Sequence, residues 1–84
     1  MRYSIEVAPS ARKALRKLPL PMRRRIQIAI DELADNPFPL GVKKLHGDQA
    51  YRIRVGDYRV IYDVEHRRLI ILVIRIGHRR EVYR

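Results

Sequence analysis

Apolar and polar residues alternate at the N-terminus of the chain and then follow a helical spacing. In residues 2–7 the apolar side chains are Tyr3, Ile5 and Val7, a pattern that predicts a strand with one buried face. Two apolar stripes at helical spacing come next, formed by Ala11, Ala14, Leu15 and Leu18 and then by Met22, Ile26, Ala29, Ile30 and Leu33. Prolines at positions 19 and 21 separate the two stripes. This part of the chain is therefore predicted to be a strand followed by a helical hairpin.

The remainder of the chain is predicted to be sheet. A short extended piece at residues 42–45 precedes strands at residues 50–55, 58–64 and 69–76. The last of these is apolar at almost every position, which is typical of a central strand covered on both faces. We expect one α+β domain over residues 1–84, with an N-terminal strand, a helical hairpin and then antiparallel strands. The helices should pack on one face of a roughly four-stranded sheet.

Arginines occupy alternate positions of the predicted strands. If Tyr51, Ile53 and Val55 face the core, Arg52 and Arg54 point together to the other face. A tight turn at residues 56–57 then brings Arg59 onto that same face. Guanidinium groups on rigid strands form a preorganised receptor for phosphate. A merely solvated sheet face is the alternative, and the contribution from a second strand favours function.

The composition limits the classes of partner and the kinds of chemistry that are possible. Nineteen basic and nine acidic residues give a formal charge of +10, which predicts a polyanionic partner such as nucleic acid or an acidic protein. Codon bias is an alternative source of the arginines, but it does not explain their alternation. The absence of cysteine excludes disulfides, thiolate metal sites and a cysteine nucleophile. Without a signal-like or membrane-spanning apolar run, a soluble cytoplasmic protein without a membrane partner is expected.

The order of these segments resembles the RelE side of the RelE/ParE toxin superfamily. The resemblance covers the strand and hairpin, Leu45-His-Gly, Tyr51-Arg-Ile-Arg, Asp57-Tyr-Arg-Val-Ile-Tyr and Gly77-His-Arg-Arg-Glu-Val-Tyr83. It implies a RelE-like fold and a metal-independent, cofactor-free endoribonuclease that cuts messenger RNA in the ribosomal A site. It also implies a RelB-like, acidic antitoxin as partner, together with contacts to messenger RNA and 16S ribosomal RNA.

The resemblance also implies site residues. The family's basic pair falls on Arg52 and Arg54, the arginine of the next strand on Arg59, and the closing residues on Arg79 and Tyr83. His78 stands where some members have lysine and others histidine. Further candidates for RNA contact are Lys43, Lys44, Arg75 and Arg80. This sequence has arginine where the family often has lysine, and arginine does not easily donate a proton.

The chemistry implied is transesterification, in which a ribose 2′-hydroxyl attacks the adjacent phosphorus and expels the 5′-oxygen. Arginines suit the charge that builds up on the phosphorane. Tyr83 is a candidate base, or else a residue that stacks on a nucleotide. His78 is a candidate for proton transfer, or else a surface histidine. Arg75 either contacts RNA or neutralises Asp63 across the sheet.

Two other functions fit the same features. A ParE-type protein would poison DNA gyrase with this scaffold and do no RNA chemistry. A non-catalytic basic module, such as a decayed toxin, would bind RNA with strong salt dependence and leave growth unaffected.

Overall fold

A five-stranded mixed sheet packs against two helices in the computed structural model, which describes residues 2–46 and 49–78. In chain order the elements are β1 (Ser4–Val7), α1 (Pro9–Arg16), α2 (Leu20–Leu33), β2 (Lys43–Lys44), β3 (Tyr51–Val55), β4 (Tyr58–Glu65) and β5 (Ile70–His78). The α+β architecture predicted from the sequence is confirmed. No helix within the described ranges is both long and apolar enough to cross a membrane.

The strand order is β1-β5-β4-β3-β2, and β1 runs parallel to β5 while the other pairs are antiparallel. The sheet thus has five strands where the sequence suggested about four, because β2 pairs two residues of the extended piece with β3. The parallel pair places Ser4 beside Ile70 and Val7 beside Val73. Local alternation indicates that a segment is a strand, but it does not indicate a partner 66 positions away in the chain.

Proline fixes the start of both helices. Pro9 occupies the first turn of α1, where a missing N–H costs nothing, and Pro19 is the N-cap residue of α2. The buried side of α1 is formed by Ala11 and Leu15, and that of α2 by Ile26, Ile30 and Leu33. These residues belong to the predicted stripes, and they form one core with buried residues of β3, β4 and β5.

Arg23 joins the two helices. Its Nη2 donates hydrogen bonds to the carbonyl oxygens of Arg16 and Leu18, at 3.0 and 3.2 Å. The last carbonyls of a helix have no partner within the helix and carry partial negative charge, so a guanidinium there is favourable. The structure gives Arg23 a structural role, while Arg24 and Arg25 are exposed.

We expect Arg23→Ala to lower the free energy of unfolding by about 1–3 kcal/mol, because hydrogen bonds from a charged donor are lost. Arg24→Ala removes the same charge from an exposed position of the same helix, and it should change the stability by less than about 0.5 kcal/mol. Urea unfolding of both variants measures the difference. Equal stabilities would show that the carbonyl contacts do not hold the hairpin together.

Gly56 forms the reversal between β3 and β4. Its φ of 60° lies in the left-handed region, and a Cβ there would come within 3.3 Å of Cε of Met22 on α2. The reversal sets Tyr51 opposite Tyr62, Ile53 opposite Val60 and Val55 opposite Tyr58. This is the register that the sequence predicted.

A bulge in β5 changes which side chains face the core. Ile61 pairs with Arg75 but the next residue, Tyr62, pairs with Val73, so Ile74 is an extra residue. Because of this shift, Leu72 and Ile76 lie on opposite faces, whereas strict alternation predicted the same face. The second face of β5 is also less covered than the sequence suggested, since Leu72 and Ile74 are 37% and 38% exposed. The strand is not at an edge of the sheet, as predicted, but the prediction that both of its faces are covered was wrong.

Candidate functional site

Among the residues that the structure describes, five basic side chains lie on the sheet face opposite the helices. Arg54 of β3 is directly opposite Arg59 of β4. Arg52 pairs with Lys43 on one side and with Ile61 on the other, and Ile61 in turn pairs with Arg75. We call this surface the arginine face, and it consists of Lys43, Arg52, Arg54, Arg59 and Arg75. Like charges directly opposite each other destabilise a sheet by a fraction of a kcal/mol, so this arrangement does not serve stability.

The arginine face is only partly open to solvent. Arg52 and Arg59 are 3% and 5% exposed, whereas Arg54 and Arg75 are exposed. The sequence suggested a row of open arginines, whereas the structure shows two of them covered. Arg52 lies between Lys43 and Ile61, whereas Arg59 lies between Arg54 and Gly77, which has no side chain.

The two exposed arginines lie where a neighbouring strand is missing. Arg54 has no neighbour on β2, because β2 pairs only with Tyr51 and Arg52. Arg75 has none on β1, because that pairing stops at Val73. A guanidinium stays charged whether it is buried or exposed. The face therefore combines two arginines fixed by their surroundings with two that are accessible to a ligand.

The two lysines of β2 point to opposite faces. Lys43 is in register with Arg52 and joins the arginine face, whereas Lys44 is in register with Tyr51 and lies on the helix side at the sheet edge. Both are exposed. Of the pair, the structure brings only Lys43 to the other candidate residues.

Arg75 does not form the ion pair with Asp63 that the sequence offered as one possibility. Asp63 lies opposite Leu72, and its Oδ1 accepts a hydrogen bond from the backbone N–H of Val64 at 2.9 Å. Within residues 2–46 and 49–78, the ion pair observed joins Arg2 and Asp35 at 2.7 Å. The Arg75 charge therefore belongs to the arginine face.

His78 lies on the other side of the sheet. It pairs with Tyr58, whose side chain faces the helices, and the two rings are in edge-to-face contact with centroids 5.6 Å apart. Both residues line a groove beside α1, together with Lys13 and Lys17. The sequence grouped His78 with the catalytic arginines, and the geometry corrects that grouping. The reason is the pairing register, which places Arg59 and not Tyr58 on the arginine face.

Tyr62 has a perturbed pKa. Burial, and secondarily the neighbouring Tyr51, raise the pKa of Tyr62 far above its ordinary value. Its hydroxyl donates a 2.6 Å hydrogen bond to the carbonyl oxygen of Pro37, and its ring is fully buried in the core. Tyr62 therefore stays protonated and has a structural role. It is not a candidate base.

Tyr62→Phe tests this assignment through pH. At pH 7 we expect a loss of about 1 kcal/mol, because the hydrogen bond to Pro37 disappears. Above pH 10 the unfolded chain ionises Tyr62 while the folded protein does not, so the wild-type loses stability as the pH rises. The difference in unfolding free energy between the wild type and the variant should then shrink by up to about 1.4 kcal/mol per pH unit. Urea unfolding of both proteins at pH 7 and pH 11 measures this stability difference. A stability difference that does not change with pH would contradict the protonated, structural role of Tyr62.

Three of the candidate residues fall outside the part of the chain that the structure describes, namely Arg79, Arg80 and Tyr83. Their roles stay predictions. Among the described residues, no three His, Asp or Glu side chains come together in a way that could hold a metal ion. The groove beside α1 was missed at the sequence level, although lysines four residues apart on a predicted helix were a usable signal.

Known proteins resemble this chain in both sequence and fold. Residues 5–83 match the family model described as ParE toxin of the type II toxin-antitoxin system, parDE. The putative toxin RelE1 of Methanocaldococcus jannaschii is 32% identical over all of this chain and 98% of its own length. Toxin RelG of Mycobacterium tuberculosis is 29% identical, over all of this chain and 99% of its own length.

Solved structures agree with these relatives. RelE in the archaeal RelE-RelB complex of Pyrococcus horikoshii OT3 superposes with a TM-score of 0.85 at 34% identity, covering 96% of this chain and 99% of that one. The isolated RelE toxin of E. coli superposes with a TM-score of 0.80 at 29% identity, covering 96% and 90% of the two chains. The chain belongs to the RelE/ParE family of toxins from type II toxin–antitoxin systems.

Proposed function

We propose that this toxin is an endoribonuclease that cuts messenger RNA in the A site of translating ribosomes. The observation that carries the proposal is the arginine face, where the exposed Arg54 lies directly opposite the buried Arg59. A scissile phosphate bound there would meet guanidinium groups from two strands, and bidentate contact with phosphate oxygens is the geometry that guanidinium favours. RelE relatives of similar length and fold support the same activity.

The reaction is a transesterification. The 2′-oxygen forms a bond to phosphorus, the bond from phosphorus to the 5′-oxygen breaks, and a 2′,3′-cyclic phosphate is left on the upstream fragment. The proton of the 2′-hydroxyl goes to a base, and the 5′-oxygen receives a proton. The arginines stabilise the negative charge of the phosphorane, and no metal ion is required for that step. Because arginine stays protonated, the arginine face does not itself supply the base.

Tyr83 is the residue we assign to proton transfer, since His78 lies on the opposite side of the sheet. An ordinary tyrosine has a pKa of about 10, and neighbouring arginines would favour its phenolate. We expect Tyr83→Phe to abolish cleavage while the protein keeps its fold. Single-turnover cleavage on ribosomes measures the effect, with circular dichroism as the control on folding. Undiminished cleavage by the variant would remove the role.

An antitoxin is the second partner in this proposal. The Pyrococcus horikoshii relative was crystallised as a RelE-RelB complex, and a RelB-like acidic protein would complement a chain with a charge of +10. Covering the exposed Arg54 and Arg75 would keep RNA from the arginine face.

The proposal is tested by inducing the protein in cells and mapping new 5′ ends across the transcriptome. We expect cuts in phase with codons on translated messages. A reporter message with a mutated start codon, matched in every other respect, should stay intact. Growth arrest without codon-phased cuts would contradict the proposal.

Inhibition of DNA gyrase is the second candidate function, and the ParE description of the matching family model is what favours it. Under that alternative the arginine face would bind protein or DNA and not a scissile RNA linkage. Cleaved chromosomal DNA and an induced DNA-damage response, with intact transcripts, would then replace the codon-phased cuts.

A further inference from the structure

A groove of about 530 Å³ lies between α1 and the ends of β4 and β5, on the helix side of the sheet. Its lining includes Lys13, Lys17, Tyr58, Ile76, Gly77 and His78. The proposed cleavage chemistry uses none of these side chains. Sites for small ligands have volumes of roughly 300–1,000 Å³, so the groove is large enough for a nucleotide.

The groove combines positive charge with aromatic surface. Lys13 and Lys17 are exposed and one helical turn apart, so both ammonium groups reach the same side of α1. Tyr58 and His78 are both half-buried, and their rings stand at 81° to each other. Ile76 adds apolar surface, and the described residues of the lining include no carboxylate.

This composition selects a ligand with an anionic group and a flat ring. Proteins bind single-stranded nucleic acid by stacking bases on aromatic side chains beside basic groups that hold the backbone phosphates. An acidic peptide would use the two lysines but would leave the rings of Tyr58 and His78 without a partner of matching shape. A nucleotide uses both parts of the groove.

The groove lies next to the arginine face, at the end of the same strands. Gly77 lines the groove and is directly opposite Arg59 in the sheet. Tyr58, the neighbour of Arg59 in β4, points to the groove side because successive side chains of a strand alternate between faces. RNA bound at the exposed Arg54, opposite Arg59, therefore needs only to pass the end of the sheet to enter the groove.

We infer that this groove binds a nucleotide near the cleaved linkage, with its base against Tyr58 and His78 and its phosphate held by Lys13 and Lys17. The inference rests on the proposed function, since it takes RNA to be the substrate. A nucleotide of the message and a nucleotide of ribosomal RNA share this chemistry.

Binding is tested by NMR on the purified full chain in an Arg54→Ala background, which weakens the toxin without altering the groove. Adenosine 5′-monophosphate should shift the ring signals of Tyr58 and His78. Inorganic phosphate and adenosine should each bind about tenfold more weakly or worse, because each fills one half of the groove.

Two double variants separate this site from general charge attraction. Lys13→Gln with Lys17→Gln should raise the Kd for adenosine 5′-monophosphate about tenfold or more, since hydrogen bonds to charged groups are lost. Arg12→Gln with Arg16→Gln removes two charges from the same helix at exposed positions that do not line the groove, and it should change the Kd less than twofold. Equal losses in the two pairs would overturn the inference. So would binding of a hexaglutamate peptide in the groove when adenosine 5′-monophosphate leaves the rings unshifted.

The source of the nucleotide is identified by crosslinking on ribosomes. A message carrying 4-thiouridine in and beside the A-site codon, or ribosomes carrying it in their RNA, should crosslink to the α1 peptide, which contributes no residue to the arginine face. A crosslink to either RNA supports the nucleotide site and names its source, while crosslinks to neither would overturn it.

The binding and cleavage experiments test the two proposals independently, so that one proposal can fail while the other stands. Codon-phased cleavage without ring shifts would discard the groove and keep the proposed function. Ring shifts that are lost in the lysine variant, without any cleavage, would discard the nuclease and keep a nucleotide site.

Discussion

Arg54→Ala is expected to slow the cleavage of ribosome-bound message by about 10²–10³-fold, the usual cost of removing one preorganised donor from a developing negative charge. Arg54 is the sharpest position for this test, because its side chain is exposed and directly opposite Arg59. The fold does not depend on it as it does on a buried residue. Single-turnover cleavage of a message with a defined A-site codon gives the rate constant.

Arg67→Ala is the matched control. Arg67 is exposed in the turn between β4 and β5, so the change removes the same charge at a distance from the arginine face. Its cleavage rate should stay within about twofold of the wild-type rate at physiological salt, where exposed charges are largely screened. If both variants lost activity equally, net charge and not the arginine face would account for the effect.

Ile26→Ala should have the largest effect on stability, a loss of about 2–5 kcal/mol in the free energy of unfolding. Ile26 is fully buried where α2 meets the sheet, and truncation removes apolar contacts and leaves a cavity. A chain of this size is expected to have a total stability of roughly 4–13 kcal/mol, so this one change removes a large share. Urea unfolding in the Arg54→Ala background, which permits expression, measures it.

Ile28→Ala makes the same chemical change two residues away on α2. Ile28 is 61% exposed, so its truncation should alter the stability by no more than about 0.5 kcal/mol. A loss of similar size in both variants would mean that α2 packs on the sheet through a different side from the one described.

The sequence alone predicted much of the fold because its short-range signals agree with one another. The helical stripes that contain Leu15 and Ile30 are buried, and the reversal at Gly56 gave the register between β3 and β4. The parallel pairing of β1 with β5 could not be predicted, because no local pattern encodes which distant strand is the partner. The extra residue in β5 could not be predicted either, because a continuous apolar run has the same sequence pattern with and without a bulge.

For the candidate site, alternation correctly grouped Arg52, Arg54 and Arg59 on one face. The family resemblance added His78 to this group, and the structure places His78 on the other face. The face of His78 depends on its pairing with Tyr58. The burial of each arginine was the second property that the sequence could not predict. Alternation along a strand gives the face on which an arginine lies, but it does not give the tertiary surroundings that cover Arg52 and Arg59.

The position of β5 between β1 and β4 has a consequence for the synthesis of the toxin. Until residues 70–78 are available, the N-terminal strand has no partner, and the two halves of the sheet cannot join. Long-range pairing of this kind delays folding until the distant partner is present. A nascent chain still lacking this strand has neither a completed core nor an assembled arginine face, so the toxin cannot form its candidate site while most of it is being translated.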